Sequence, residues 1–255
     1  AANRLDPVQG TIPAEIIEQM GHLGFFGIMI PEEMGGLGLG AFEYCLVAEE
    51  LARGWMSVAS LIARGNGFYR SVPAHDEAER RRKTQLMAKG EYLGALAMSE
   101  PEGGSDVAAV ACRAKRDGDD WLITGTKYWC TFADGADFLS VVCRTGEGVS
   151  SRHRGLTQIV IEKPKGALPE GVTGSPIPKI GYFGWKTWEL SFDEARSPAD
   201  LQPFAEGRAF YEIAHGLETA RAHTAARSIG CAQGALDHAM AYAKERTQFG
   251  HPLAN

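Results

Sequence analysis

Two short motifs in the middle of the chain combine residue types that could bind a phosphate and a flat ring. Residues 98–106 read Met-Ser-Glu-Pro-Glu-Gly-Gly-Ser-Asp. Gly103 and Gly104 allow successive backbone N–H groups to point into one concavity that binds an anion, and Ser105 adds a hydroxyl donor. An ordinary turn has the same composition, so this motif alone leaves both a phosphate site and a simple turn open.

The second motif, residues 126–132, presents aromatic and polar side chains at the end of a β-rich run. Trp129 could cover a planar ring while Thr131 offers that ring a hydrogen bond. Aromatic residues in strands usually pack in a core, so a core position for Trp129 stays open as well. Near the C-terminus, Arg246 and Phe249 lie where a helix is expected to end, and a cation is favoured there by the helix dipole in any case.

Other kinds of site find little support in the sequence. The seven histidines lack metal-ligand spacing, the five cysteines form no CxxC pair, and no Gly-x-Ser-x-Gly motif occurs, so we predict no metal site. Free thiols are typical of a reducing compartment. The glycine-rich residues 35–40 stand between helical segments, which favours a structural loop over the strand–turn–helix of a dinucleotide site.

Composition excludes two further classes of protein. The 255 residues carry a net charge of −6, with 44% hydrophobic and 23% charged residues, which is ordinary for a soluble globular protein. A mild negative charge argues against a dedicated nucleic-acid binder. No apolar run approaches the roughly 20 residues of a membrane span, and no basic-then-apolar leader opens the chain.

Hydrophobic periodicity divides the chain into three parts that must position these motifs. Residues 1–92 have helical spacing, residues 93–203 consist of short β-rich runs between Pro and Gly turns, and residues 204–255 return to helical spacing. We therefore predict an α+β multidomain fold. It consists of an N-terminal helical domain, a middle antiparallel β domain and the start of a C-terminal helical domain.

The last helical part carries an apolar stripe. Ile229, Leu236, Met240 and Ala243 fall on one face, among alanines and glycines that suggest close helix packing. Because one helix after a β domain has no evident partner, we expect the chain to be a fragment or its partner helices to come from elsewhere.

The order of the motifs closely resembles the acyl-CoA dehydrogenase family over essentially the whole chain. A glycine loop after Pro-Glu-Glu precedes Met-Ser-Glu-Pro-x-Gly-Gly-Ser-Asp, then Lys-x-Trp-x-Thr, then Glu-Arg-x-x-Phe-Gly-x-Pro-Leu. The resemblance implies helical ends around a β domain, with the first family helix missing. It also implies non-covalently bound FAD and oxidation of an acyl-CoA thioester to the 2-enoyl-CoA.

The resemblance also implies site residues. The cofactor-binding positions lie along the flavin ring, at its pyrophosphate, and across a dimer interface: Leu96, Met98, Ser99, Gly104, Ser105, Trp129, Thr131, Arg246 and Phe249. The substrate-binding positions are Ser105, Glu218 and Arg221. The catalytic base is unassigned, because the usual glutamate would follow Asn255 and the alternative position holds Ala220. Glu218 is two residues away, about 200° around a helix, and should point elsewhere.

Partners and location follow from the same resemblance. It implies an acyl-CoA substrate, an electron-transfer flavoprotein as electron acceptor, a homodimer or homotetramer, and the bacterial cytoplasm in preference to the mitochondrial matrix. Residues 180–189 resemble members that act on short or branched dicarboxylyl thioesters such as methylsuccinyl-CoA. Two alternatives stay open: an acyl-CoA oxidase or flavin-dependent hydroxylase on this scaffold, and a non-catalytic FAD- or acyl-CoA-binding subunit whose base comes from a partner.

Overall fold

The computed structural model describes residues 10–146 and 152–254, so residues 1–9 of the predicted helical part and Asn255 lie outside it. The α-helices are α1 (Ala14–His22), α2 (Ala41–Leu61), α3 (Ala63–Asn66), α4 (Glu77–Ala88) and α5 (Ala209–Glu245). The strands are β1 (Gly94–Ala97), β2 (Arg113–Asp117), β3 (Asp120–Thr131), β4 (Phe138–Arg144), β5 (Leu156–Glu162), β6 (Val172–Pro176), β7 (Thr187–Pro198), β8 (Thr247–Gln248) and β9 (His251–Pro252). The predicted order of helices, sheet and helix is confirmed.

Strands β1 to β7 form one sheet with the order β1-β4-β2-β3-β7-β6, and β5 pairs with β4. The pairs β2–β3, β3–β7, β4–β5 and β6–β7 are antiparallel, as the sequence predicts. β1 runs parallel to β4, which is possible because the long connection through β2 and β3 returns the chain to the same edge. β2 also pairs with β4 in parallel, at Arg113 and Arg144, so the sheet is mixed on both sides of β4.

Within the predicted β domain, the sequence of residues 107–116 is consistent with one strand, and this expectation is wrong in its first half. Val107–Ala109 form a 3₁₀ turn, and β2 begins only at Arg113. The physical reason is that the N–H groups of Ala111 and Cys112 donate to the carboxylate of Glu100, at 2.8 and 2.9 Å, rather than to a neighbouring strand.

Helix α2 bends in the middle, where the sequence predicts a new helix near Ser57. Trp55 leaves the helical conformation, with φ −160° and ψ 104°. Its indole N–H donates to the carbonyl of Phe183, 3.1 Å away. Beyond the bend, the last turns of α2 lead into α3, which contacts β1 of the sheet.

Helix α5 packs directly on α2, and this corrects the expectation that it has no partner within the chain. A Cβ added at Gly230 would collide with the carbonyl of Glu49, and one at Gly234 with the carbonyl of Arg53. Arg53 also forms a 2.6 Å ion pair with Asp237. The predicted close packing is confirmed, but it uses the glycine face.

The predicted apolar stripe of α5 lies on its outer side. Ile229, Leu236 and Met240 are 57%, 52% and 50% exposed. These side chains add nothing to the contact with α2, so the stripe is a large apolar surface that the described residues leave uncovered.

A buried ion pair joins the two central motifs. Lys127, in β3, is fully buried and its ammonium donates to Glu100 at 2.8 Å and to the carbonyl of Met98 at 3.0 Å. The N–H of Tyr128 donates to the carbonyl of Ser99, at 2.8 Å. Residues 98–100 are therefore fixed against β3 by both charge and backbone.

We expect Lys127→Met to lower the free energy of unfolding by about 3–5 kcal/mol, because it leaves the Glu100 carboxylate buried without its cation. The matched control is Arg196→Met, since Arg196 forms an exposed 2.8 Å pair with Asp117 in the same sheet. Urea unfolding of both variants gives the comparison. Equal shifts of the two midpoints would contradict a special role for the buried pair.

Candidate functional site

A cavity of about 500 Å³ lies between the sheet and the helices α2, α3 and α5. Its sheet wall contains the predicted cofactor residues Leu96, Met98, Ser99, Trp129 and Thr131. Its helical wall comes from residues far away in the sequence, among them Ile213, Leu217 and Ala220 of α5. The volume is that of a typical small-molecule site.

Trp129 reaches this cavity because β3 is irregular at that point. The pairing of β3 with β7 shifts register between Lys127 and Cys130, and Trp129 has a φ of 61°. A bulge of this kind re-aims a side chain, and left-handed backbone is uncommon for a bulky residue. The indole is 56% exposed, so the alternative that Trp129 fills a core is excluded. Trp121, in contrast, is an ordinary buried strand residue.

The glycines of residues 98–106 do not adopt the conformation expected of an anion-binding concavity. Neither Gly103 nor Gly104 has a positive φ. Hydrogen bonds in both directions between the backbones of Glu100 and Gly103, at 2.8 and 3.1 Å, close a tight turn instead. Gly104 and Ser105 are exposed and lie outside the cavity wall.

Four further predicted residues also lie away from the cavity within this chain. Glu218 is 74% exposed and faces His215 of its own helix at 3.8 Å, so it points elsewhere, as expected. Arg221 is exposed. Arg246 donates to the side chain of Gln248 at 3.3 Å, just beyond α5. Phe249 is 90% exposed.

The structure brings a polar cluster to the cavity that sequence reasoning missed. Arg64 of α3 and Arg227 of α5 both line it, together with Tyr44, Tyr182 and His223. The guanidinium of Arg227 donates to the hydroxyls of Ser60 and Tyr182, the latter at 2.9 Å. One signal was present in the sequence, since Arg64 follows the apolar residues Leu-Ile-Ala at the end of a helical run.

Burial sets the protonation of this cluster. The ring of His223 stacks on Tyr44 with a centroid distance of 4.4 Å. Burial, and then the charge of Arg227, lowers the pKa of His223 to about 4. Burial raises the pKa of Tyr44, although Arg227 and Arg64 oppose this. At neutral pH the histidine is therefore uncharged, the tyrosine keeps its proton, and the positive charge of the cluster resides on the arginines.

Comparison with known proteins places this architecture in a family. The chain matches the models of the acyl-CoA dehydrogenase N-terminal domain over residues 1–91, the middle domain over residues 95–195 and the C-terminal domain over residues 207–255. The chain belongs to the acyl-CoA dehydrogenase family, whose members are FAD-dependent oxidoreductases. The resemblance drawn from the motif order is confirmed.

Curated relatives agree with this. The chain is 38% identical over 249 residues to (2S)-methylsuccinyl-CoA dehydrogenase of Cereibacter sphaeroides, covering 95% of this chain and 45% of the relative. It is 34% identical to the mitochondrial isovaleryl-CoA dehydrogenase of Pongo abelii, covering 94% of this chain and 57% of the relative. The chain thus spans about half the length of the curated relatives it matches.

Solved structures show the same fold. An acyl-CoA dehydrogenase from Geobacillus kaustophilus superposes with a TM-score of 0.86 at 27% identity, over 97% of this chain and 64% of that one. A glutaryl-CoA dehydrogenase with glutaryl-CoA gives 0.83 at 32% identity, over 94% and 60%. A structure named electron transferring flavoprotein of Acidaminococcus fermentans gives 0.84 at 29% identity, over 95% and 63%.

Residues 10–146 and 152–254 lack two further kinds of feature. None of the helices there combines the length and apolar character that crossing a membrane requires. No group of three or more metal-binding side chains occurs in that part of the chain either.

The low pKa of His223 makes stability depend on pH. Between pH 6.5, its ordinary pKa, and about 4, the unfolded chain binds a proton that the folded chain does not. The stability that this site contributes is therefore complete above pH 6.5 and falls as the pH drops toward 4, by about 3 kcal/mol at most. We expect His223→Gln to flatten this part of the curve.

His238→Gln is the matched control, because His238 is exposed on the same helix. Urea midpoints measured across this pH range give the slopes. The assignment is wrong if His223→Gln keeps the slope of the unaltered protein, or if His238→Gln flattens it as strongly.

Proposed function

We propose that this chain forms the flavin- and acyl-binding surfaces of an acyl-CoA dehydrogenase that converts an acyl-CoA thioester to its 2-enoyl-CoA. One observation carries the proposal: a single cavity has the motif residues Leu96, Thr131 and Trp129 on its sheet wall and helical residues on the wall opposite. A cofactor on the first wall and an acyl group on the second would meet inside one enclosed space.

The residues on the sheet wall suit a flavin ring. The exposed indole of Trp129 offers a flat face, and Leu96 and Met98 offer partly buried apolar contacts. Thr131 and Thr187 have hydroxyl oxygens 3.3 Å apart. Since that pair uses one hydroxyl hydrogen between them, the other stays available to a ligand.

Bound FAD would supply the acceptor for the hydride that leaves the β-carbon of the thioester. This chain's residues would hold the thioester in line with the ring and keep water away, because the helical wall presents Ile213 and Leu217 to the cavity. Ala220, where some family members carry the base, also lines the cavity and cannot take the α-proton. Glu212 is the one carboxylate on the cavity wall among the described residues, about 12 Å along α5 from Ala220.

The finer assignments belong to the same proposal. We infer a short or branched acyl group, supported by the methylsuccinyl-CoA and isovaleryl-CoA dehydrogenases among the relatives. We also infer that electrons pass to an electron-transfer flavoprotein, in the bacterial cytoplasm or the mitochondrial matrix. The bacterial and mitochondrial origins of the relatives support both locations.

Anaerobic mixing of the FAD-loaded protein with short and branched acyl-CoA thioesters tests this. The visible flavin absorbance should bleach, and mass spectrometry should find the 2-enoyl product. Slow reoxidation in air agrees with a dehydrogenase, whereas fast reoxidation would favour the oxidase or hydroxylase alternative. No bleaching by any thioester would refute the activity.

We expect Trp129→Ala to weaken FAD binding about two- to tenfold, the range that corresponds to one aromatic contact. Phe42→Ala is the control, because Phe42 is a 71% exposed aromatic residue at the start of α2, outside the cavity wall. Trp121→Ala is less suitable, since Trp121 is buried and its removal disturbs the sheet. Equal flavin retention by both purified variants would contradict a place for Trp129 at the ring.

We further propose a homodimer or larger assembly in which Arg246 and Phe249 reach the FAD of a neighbouring subunit. The support is the exposure of both residues and of the apolar stripe on α5. Arg246→Ala should lower FAD affinity and loosen the assembly together, because a cation–anion hydrogen bond is lost. Lys244→Ala, on the same helix end, should do neither. A monomeric, fully FAD-loaded protein in light scattering would overturn the idea.

A further inference from the structure

Two arginines, Arg64 and Arg227, line the cavity, and neither pairs with its one lining carboxylate among the described residues, Glu212. Within the described residues, neither Arg64 nor Arg227 forms an ion pair, and both have a buried Nε without an acceptor. The guanidinium of Arg64 lies over the rings of Phe68 and Trp185, at 5.8 and 5.5 Å, and makes no hydrogen bond there. The cavity therefore contains more positive charge than its walls neutralise.

The excess positive charge affects the pKa values of groups in the cluster. Burial lowers the pKa of Arg64, with Tyr182 opposing the change and the charge of Arg227 adding to it. The charges of Arg227 and Arg64 also help to hold the pKa of His223 low. Arginine is in effect always protonated in proteins, so the folded chain bears the cost of two like charges that are partly buried at one cavity. An anion in the cavity would offset that cost.

The groups around the arginines suit a carboxylate. Arg227 donates from one terminal nitrogen to the hydroxyls of Tyr182 and Ser60, and from the other to the hydroxyl of Thr224 at 3.1 Å. Its Nε has no acceptor among the described residues, and Tyr44 lines the same space. Guanidinium groups match the planar, two-oxygen geometry of a carboxylate, and charge-assisted bonds of this kind are among the strongest in proteins. The shielding of both Nε atoms from solvent favours a small group at the end of an acyl chain over a bulky, solvated phosphate.

We propose that Arg64 and Arg227 bind a second carboxylate on the acyl group, so that the substrate is the CoA thioester of a short dicarboxylic acid. The inference rests on the proposed function, because the same cavity has the flavin motif residues on its sheet wall. The thioester end of the acyl group lies toward Trp129 and Thr131, and the carboxylate lies between the arginines.

Equilibrium binding to the FAD-loaded protein, reduced beforehand and kept anaerobic so that no thioester is oxidised, tests the site directly. Methylsuccinyl-CoA and glutaryl-CoA are each compared by calorimetry with the analogue whose free carboxylate is a carboxamide, which keeps the shape and removes the charge. The unaltered protein should bind at least one carboxylate about tenfold or more tightly than its carboxamide. Arg64→Gln and Arg227→Gln should each weaken carboxylate binding about 10- to 100-fold and leave carboxamide binding nearly unchanged.

Arg53→Gln is the matched control, because Arg53 also joins α2 to α5, through Asp237, but lies outside the cavity wall. It should keep the preference for carboxylate, and Arg64→Lys should keep part of it. Thermal unfolding without ligand adds a second measurement. Without ligand, the charge of Arg64 has no anionic partner among the described residues and lowers the stability of the fold. Arg64→Gln should therefore not lower the unfolding temperature.

Two results would overturn the proposal. One is equal affinity of the unaltered protein for every carboxylate and its carboxamide. The other is an equal loss of both affinities in the arginine variants together with a lower unfolding temperature, which would indicate a structural role. Flavin reduction by thioesters without carboxylate preference would leave the proposed function intact and remove only this site. Selective carboxylate binding without flavin reduction by any thioester would support the arginine site and refute the proposed dehydrogenase activity.

Discussion

The contact between Lys127 and Glu100 is the constraint on which the site depends. Lys127 is fully buried, so its ammonium requires the carboxylate 2.8 Å away. Burial acts to raise the pKa of Glu100, but hydrogen bonds from Lys127 and from the backbone of Ala111 and Cys112 outweigh it and leave the pKa below its usual value. The glutamate therefore stays charged and performs three tasks at once. Its carboxylate neutralises Lys127 and sets where β2 begins, and its backbone closes the turn at residues 100–103.

The ion pair between Lys127 and Glu100 lies next to a strained stretch of backbone at the end of β3. Trp129 and Phe132 have φ values of 61° and 70°, a region that costs an ordinary residue of the order of 1–3 kcal/mol. The strain persists because Lys127 is held on one side and Thr131 pairs regularly with Thr187 on the other. Between these two points, the indole of Trp129 lines the cavity. The strained backbone at Trp129 therefore lowers the stability of the fold, and in return it exposes the flat face of the indole to the cavity.

Periodicity and motif order were sufficient to predict the sequence of helices and sheet, and the place of Leu96, Met98 and Trp129 on one wall. They could not predict the parallel pairing of β1 with β4, because that register depends on how a long connection folds back. The arginine cluster was missed for a similar reason. Ser60 and Arg227 are 167 residues apart, and only the α2–α5 contact brings them together. The late start of β2 was hidden because its cause, the Glu100 carboxylate, accepts bonds from residues eleven and twelve positions later.

The glycine contact between α5 and α2 also limits how this protein can evolve. At Gly230 and Gly234 any side chain would force the two helices apart, and the separation would widen the cavity along its whole helical wall. Substitutions at these two glycines therefore cannot adjust the size of the accepted substrate in small steps. Substrate size can change gradually at Ala220 and Thr224, which line the cavity from the same helix. New substrate specificities on this scaffold should arise by substitutions at Ala220 and Thr224. Gly230 and Gly234 keep the spacing of the two helices constant, so each such substitution changes the cavity only near its own side chain.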